Sequence, residues 1–491
     1  MQRIGQFFRL RPEETSVALA MGFLILCNSL ARQVTGIVAV SGLLSAGGVN
    51  NLLLVLLIDY IIILLTGGLQ SLIVDKFNRV ALVNALIMAF VVVFVIARLL
   101  FTFNIPVGVN YTLLYLIAEQ QLVFFPLVFW VLGNDIFDPA QAKRLFPFIA
   151  SWSFVGKIIG SGIAGVAPVL VKNQEDVLLL NVLIYLIAYF ALALGLRNVK
   201  IRPLTLKHET VRETLSEGWG FIKEVPSFRY LMLAIVALAV CDTIVEFRFL
   251  SVSDTAFVSQ AAYQQFYSLY RLGVTVASFL VQSFLTSRLI ERMNLKNTFF
   301  IFPAVVLVGV IGMMAMPGLG TAVLAMSIVK LVRETIDESA RKAFQSLVPE
   351  ERRGRVSTFM DSYLPAIGTI VACLLTGAVV LAGLWLPDEL AVFVYIGVAV
   401  VGAVLVIWIV LERWPVLVSI LVALLAGTLA LLGLQVKADQ AFYFYLTLVA
   451  FSAGLAFWSV IKMRGVYESS LLNWRLKRRQ RGSRVLDKLE F

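Results

Sequence analysis

The sequence predicts an all-α polytopic membrane protein of about fourteen transmembrane helices, and three observations carry that reading. The chain of 491 residues is 60% hydrophobic and 14% charged, with a mean hydropathy of +0.91, more apolar material than a water-soluble domain can bury. A helix crossing the hydrocarbon core needs about 20 apolar residues, and such stretches follow one another here with short connections. The basic residues are distributed on one side of those stretches. A transmembrane β-barrel is excluded because its strands alternate over about ten residues, whereas runs such as Leu52 to Leu65 and Ala391 to Val410 are continuous.

In chain order the spans fall at residues 15–43, 50–71, 80–99, 110–134, 146–170, 177–196, 229–251, 263–286, 298–316, 319–346, 356–383, 391–411, 415–434 and 441–461. With the N-terminus inside, the cytoplasmic loops carry Lys76 and Arg79, Lys143 and Arg144, seven basic residues from Arg197 to Arg229, and nine from Lys462 to Lys488. The opposite loops hold only Lys172 and Lys437. Short cytoplasmic loops retain Lys and Arg, so the asymmetry places both termini in the cytoplasm of a multi-pass protein of the cell inner membrane. The N-terminal apolar run is too long for a cleavable signal and reads as a retained start. The end at Leu489-Glu-Phe491 is abrupt and leaves room for a longer natural chain.

The net charge of +11 follows from this asymmetry and implies no nucleic-acid partner. Membrane lipids are the expected partner of the basic tail, with a cytoplasmic domain or protein docking there as a second option. Cys27, Cys241 and Cys373 lie in apolar runs and His208 is the only histidine, so neither a metal site nor a disulfide framework is expected, and no cofactor. No Walker motif is present, which disfavours an ATP-driven pump. No catalytic constellation emerges.

Residues 1–197 form one six-span half, 198–228 a cytoplasmic linker with an amphipathic stretch from Val211 to Lys223, and 229–413 a second half. Residues 414–462 add two spans and 463–491 a basic tail. Each half carries a basic loop after its second span, Asp75-Lys-Phe-Asn-Arg79 and Arg288-Leu-Ile-Glu-Arg-Met-Asn. The 6+6 plan with a long central loop resembles the major facilitator superfamily, whose halves are built of inverted three-helix repeats.

An ionised side chain at mid-bilayer costs roughly 2.5–3.5 kcal/mol on insertion scales, so charged positions at depth are the informative ones. Asn28, Arg32 and Thr35 lie in the first span, Glu119 in the fourth, Asp242 and Glu246 in the seventh. The tenth holds Lys330, Arg333, Glu334, Asp337, Glu338 and Arg341. Spans one, four, seven and ten are equivalent under a three-helix repeat, and in the resembled fold they line the central pathway. Lys330, Glu334, Asp337 and Arg341 follow helical spacing that aligns opposite charges on one stripe. Either they form a structural or gating network, or some face a ligand.

Asp59, Lys157, Arg271 and Asp361 are isolated charges of other spans. Lys157 has no partner in its own helix, and the flanking Gly156 and Gly160 read as a close-packing face. Arg271 follows Tyr263 and Tyr267, a stripe that either packs in the core or stacks a planar group. Substrate binding is expected at Arg32, Glu119, Lys157, Asp242, Glu246, Arg271, Lys330 and Arg333. Gating or ion pairing is expected at Asp59, Asp75, Arg79, Glu334, Asp337, Glu338, Arg341 and Asp361. Basic and acidic groups are mixed, so charge alone does not fix the substrate's sign.

Leu116-Ile-Ala-Glu119, Phe129-Trp130, Asn134-Asp-Ile136 and Ala142-Lys-Arg144 stand in the order and spacing of the bacterial and plastid ATP/ADP translocases, which this sequence resembles. Ile244-Val-Glu246, Leu30-Ala-Arg32 with Val38-Ala-Val40, and Phe344 to Arg355 extend the likeness. The resemblance implies nucleotide exchange, an antiport, with Glu119 and Glu246 matching the family's two glutamates. The family's first-span and tenth-span lysines fall near Thr35 and Ala340, and a threonine offers only a hydroxyl to a multiply charged phosphate. The expectation is therefore a secondary transporter moving an anionic or zwitterionic, nucleotide-like small molecule by alternating access. Two other readings stay open: a non-transporting scaffold or sensor, and a lipid or lysolipid translocator.

Overall fold

The computed structural model describes residues 12–74, 79–103, 105–137, 139–171, 173–196, 219–220, 224–345, 348, 356–385 and 441–486. Among these residues nine helices are long and apolar enough to cross a membrane, ten if the bent pair Gln260–Phe284 and Thr286–Met293 is one span. The first and second spans form one helix, Pro12–Val74, broken at Gly48, whose φ of +69° admits glycine most readily. The tenth span is helical but too highly charged to pass as apolar. The twelfth and thirteenth spans, most of the amphipathic linker and Asp75 lie outside the described residues, as does the side chain of Arg79, which opens the helix Arg79–Leu100. The fourteenth span continues without a break into the tail as one helix, Ala441–Leu486.

The chain divides into two compact units, Met1–Thr210 with Ser253–Leu280, and Val211–Val252 with Val281–Phe491. The eighth span, which the sequence reading groups with the second half, belongs to the first unit as far as Leu280.

In the first unit the first span is the hub. From Cys27 to Leu44 only Arg32 and Gly36 are other than buried, so this helix faces neighbours nearly all round. The fifth span, within Pro139–Leu170, approaches it closely because Gly156 and Gly160 lie on its backbone. A Cβ added at Gly156 would stand 2.4 Å from the Leu26 carbonyl oxygen, and one at Gly160 2.8 Å from that of Leu30. Small residues are what allow such approach between membrane helices. Polar bonds follow the same seam, Ser29 to Ser153 at 2.9 Å and Gln33 to Ser161 at 2.9 Å.

In the second unit the seventh span, in Pro226–Ala256, is the corresponding hub. Gly368 of the eleventh span abuts it, with an added Cβ 2.6 Å from the Val236 carbonyl oxygen. The fourteenth span, read from the sequence as an appendage, packs into this unit. Tyr445 and Trp458 meet Phe247 and Tyr230 edge to face, and Phe457 meets Phe300. Val449, Ala453, Ala456 and Met463 are fully buried.

Candidate functional site

Each unit carries a cluster of charge at depth that joins repeat-related spans. In the first unit Arg32 donates from Nη2 to Glu119 Oε1 at 3.3 Å, joining first and fourth spans. The pair is largely shielded, the side chains 17% and 24% exposed. Next to it Gln120 donates to Asp59 Oδ1 at 3.3 Å, bringing in the second span. One turn towards the N-terminus, Asn28 accepts from Tyr185, which accepts from Gln121 at 2.7 Å. This chain of bonds ties first, fourth and sixth spans and fixes the helix faces on which Arg32 and Glu119 sit. Sequence reasoning missed Gln33, Gln120, Gln121 and Tyr185. Polar residues within apolar spans were the available signal, but neutral groups cost less at depth than charges and attract less notice.

In the second unit Lys330 Nζ lies 3.0 Å from Glu246 Oε2 and 3.6 Å from Asp242 Oδ2. Arg333 also pairs with Asp242 Oδ2. Asp242 is 3% exposed and keeps Oδ1 buried without a partner among the described residues. Two carboxylates of the seventh span thus meet two cations of the tenth. The i, i+4 spacing of Asp242 and Glu246 stacks the carboxylates on one helix face.

The tenth span does not keep the regular stripe expected of it. A π turn, Arg333–Asp337, interrupts the helix, and Glu334 is exposed while Asp337 is buried. An extra residue in one turn rotates everything beyond it, and π turns concentrate at functional positions. Below the turn Asp337 accepts from Arg341 Nε at 2.9 Å. Asp361, read from the sequence as isolated, sits in a second π turn, Phe359–Tyr363, and gathers Arg341, Lys342 and Gln345. Lys342 Nζ is 2.5 Å from its Oδ2, and Gln345 donates to Oδ1 at 2.8 Å. The two π-turn carboxylates therefore share Arg341, whose Nη1 is 3.6 Å from Asp361. Glu338 is exposed.

Lys157, expected to find no partner in its own helix, lies over the Phe154 ring of that helix at 5.4 Å. Arg271 donates to Gln33 Oε1 at 3.2 Å. Tyr263, Tyr267 and Tyr270 stack on one another at 5.9 Å, and Tyr263 and Tyr267 are 3% and 6% exposed, so their faces are taken by core neighbours. Thr35, where the resemblance would align the family's first-span lysine, is fully buried. Its hydroxyl donates to the Ala31 carbonyl at 2.7 Å and accepts from Asn181 at 2.8 Å. Ala340, near which the resemblance places the family's tenth-span lysine, beside Arg341 and Lys342, is also fully buried.

A latch not anticipated from sequence stands at the start of the first span. Glu14 accepts from Arg144 Nη2 at 2.7 Å and from Gln141 at 2.9 Å, so Arg144 and Gln141 anchor one helix end to another.

Comparison with known proteins bears on the family and the fold. Residues 93–333 match the family described as TLC ATP/ADP transporter. No curated protein matches. Among solved structures, the POT family transporter PepTSo is 15% identical, covering 94% of this chain and 99% of its own, with a TM-score of 0.57. A bacterial homologue of the human lysosomal transporter Spinster, inward-facing and unoccupied, is 14% identical over 94% of this chain and 98% of its own, with a TM-score of 0.53. The nucleoside transporter NupG is 15% identical over 75% and 91%, with a TM-score of 0.50. At such identities the likeness is one of fold, and that fold is the major facilitator type.

Proposed function

We propose that this multi-pass membrane transporter, whose residues 93–333 belong to the TLC ATP/ADP transporter family, moves an anionic or zwitterionic metabolite by alternating access. The observation that carries the reading is the placement of ion pairs. Arg32 with Glu119, and Lys330 and Arg333 with Asp242 and Glu246, join spans one to four and seven to ten, the spans equivalent by repeat. Charge at such depth is costly, and a transporter that breaks and remakes the pairs during its cycle gives it a use. Arg32, Lys330 and Arg333 are the substrate-facing cations in this reading, and Glu119, Asp242 and Glu246 the groups a substrate displaces. Arginine favours a planar, bidentate anion such as a carboxylate or phosphate.

Exchange of one anion for another would suit pairs that must always be re-formed. The burial of Thr35 and Ala340, at or near which the resemblance places the translocases' lysines, favours a substrate with fewer phosphate charges than ATP. The asymmetry of Lys and Arg supports an inner-membrane location with both termini cytoplasmic. Purified protein in liposomes tests the reading by uptake of labelled nucleotides, sugar phosphates and amino acids. Flux abolished by R32A and K330A, with competition naming the substrate class, is expected; absence of flux for every class overturns it.

A further inference from the structure

We infer that Asp59 is a proton-binding site, the place where a coupling proton enters the cycle of the transporter proposed above. Asp59 lies in the second span and is 1% exposed. Only one of its two oxygens is bonded, Oδ1 accepting from Gln120 Nε2. Oδ2 is buried without a partner among the described residues, and so is Gln120 Oε1. Two buried acceptor oxygens on one hydrogen-bonded pair, both lacking a donor, are more than a carboxylate can accommodate. A proton on the carboxyl group adds the missing donor and removes a charge that burial would otherwise penalise.

The charged groups acting on Asp59 are Glu119 and Arg32 of the neighbouring pair. Among the described residues no cation stands within ion-pair distance of Asp59, because Arg32 is engaged with Glu119 at 3.3 Å. Arg32 Nε is itself buried without an acceptor, so this guanidinium has donor capacity left. These contacts define two states. With Arg32 on Glu119, Asp59 holds its proton. When Arg32 turns to Asp59, the carboxyl group loses the proton to water and becomes the counter-ion. Substrate binding that pulls Arg32 away from Glu119 would thus be linked to proton movement at Asp59. The bond broken is O–H at the Asp59 carboxyl, the proton passes to solvent, and no other reactant is needed.

The test has two arms. In nanodiscs at neutral pH, infrared spectra of the wild type should contain the carbonyl band of a neutral carboxyl group, absent in D59N and displaced in Q120L, which removes the hydrogen bond but keeps the acid. A region identical in all three proteins overturns the proton site, whether or not transport is detected. In liposomes, a proton gradient should change the initial uptake rate severalfold for the wild type and leave D59N unresponsive. Uptake that is present in the wild type but indifferent to the gradient overturns the coupling alone. Absence of any uptake overturns the transport reading instead, and the infrared band still decides the protonation of Asp59.

Discussion

Lys330 is held between two carboxylates, and its removal is the most informative perturbation of the second unit. At an effective dielectric of about 20, unit charges at the observed 3.0 Å and 3.6 Å attract by about 5 kcal/mol each. Much of this offsets desolvation of the same groups, so the measurable quantity is smaller. Lys330→Met leaves Asp242 and Glu246 against Arg333 alone, and breaking a buried pair by deleting one partner costs about 3–5 kcal/mol. Adding Glu246→Gln to Lys330→Met restores neutrality and keeps the Arg333–Asp242 pair. The double variant should therefore recover at least about 2 kcal/mol relative to the sum of the single effects, far beyond the ~0.5 kcal/mol within which independent sites add. Denaturant unfolding of the purified protein in detergent, followed by tryptophan emission, reads the stabilities, and the liposome assay reads transport for the same proteins. Stability recovered without flux separates pairing from substrate contact. Simple additivity would refute the claim that these residues form one cluster.

Further expectations concern packing and the latches. Gly156→Ala forces a methyl group onto the Leu26 carbonyl and should cost about 1–3 kcal/mol, whereas Gly162→Ala, with no atom within 4 Å of the added Cβ, should be neutral or mildly stabilising in the same unfolding assay. Thr35→Lys should prevent stable folding, as judged by size-exclusion profile, because it buries a cation where Asn181 now donates; recovery of nucleotide flux instead would show that the site accepts the family's lysine. Asp361→Asn removes the charge that pairs Lys342 and takes from Arg341 its second carboxylate, leaving it Asp337 alone, and should speed amide hydrogen exchange across the two π turns without altering exchange in the first unit. Cys27, Cys241 and Cys373 are buried, so a maleimide should label none of them quickly in the native protein and all of them in denaturing detergent.

The parts of the fold legible in the sequence are those set by solvent alone. Apolar length fixes where helices cross, and Lys and Arg fix which ends stay inside, so spans three to six emerge from composition with little need of tertiary information. The first and tenth spans show where that logic stops. The break at Gly48 falls in the short stretch that separates residues 43 and 50, but nothing in hydropathy shows that one continuous helix runs through it. The π turn at Arg333–Asp337 shifts register inside a helix whose spacing looks regular, so the stripe from Lys330 to Arg341 divides into an upper pair with the seventh span and a lower pair with Asp361. The charged members of the clusters were legible because charge at depth has a price. Their partners were not. Gln120 and Gln33 could equally have packed against any helix, and only the bundle decides which carboxyl or guanidinium they reach.

The charge count within the two clusters bears on mechanism. In the second unit two carboxylates face two cations, and in the first Arg32 faces Glu119, with Asp59 neutral when protonated. Apart from the exposed Glu334, whose charge also acts on Lys330, each cluster then sums to zero without a ligand. An incoming anion gains nothing from net field; it must replace a carboxylate on Arg32, Lys330 or Arg333. Such replacement selects for ligands whose geometry on a guanidinium surpasses that of a single glutamate, and it strands the displaced carboxylate in a poorly solvated place. A stranded carboxylate at this depth must be neutralised by a proton or by the anion leaving in exchange. In the transport reading proposed above, neutral clusters therefore favour coupled movement, by proton or by counter-substrate, because free uniport of an anion would leave a buried charge uncompensated at one step of every cycle.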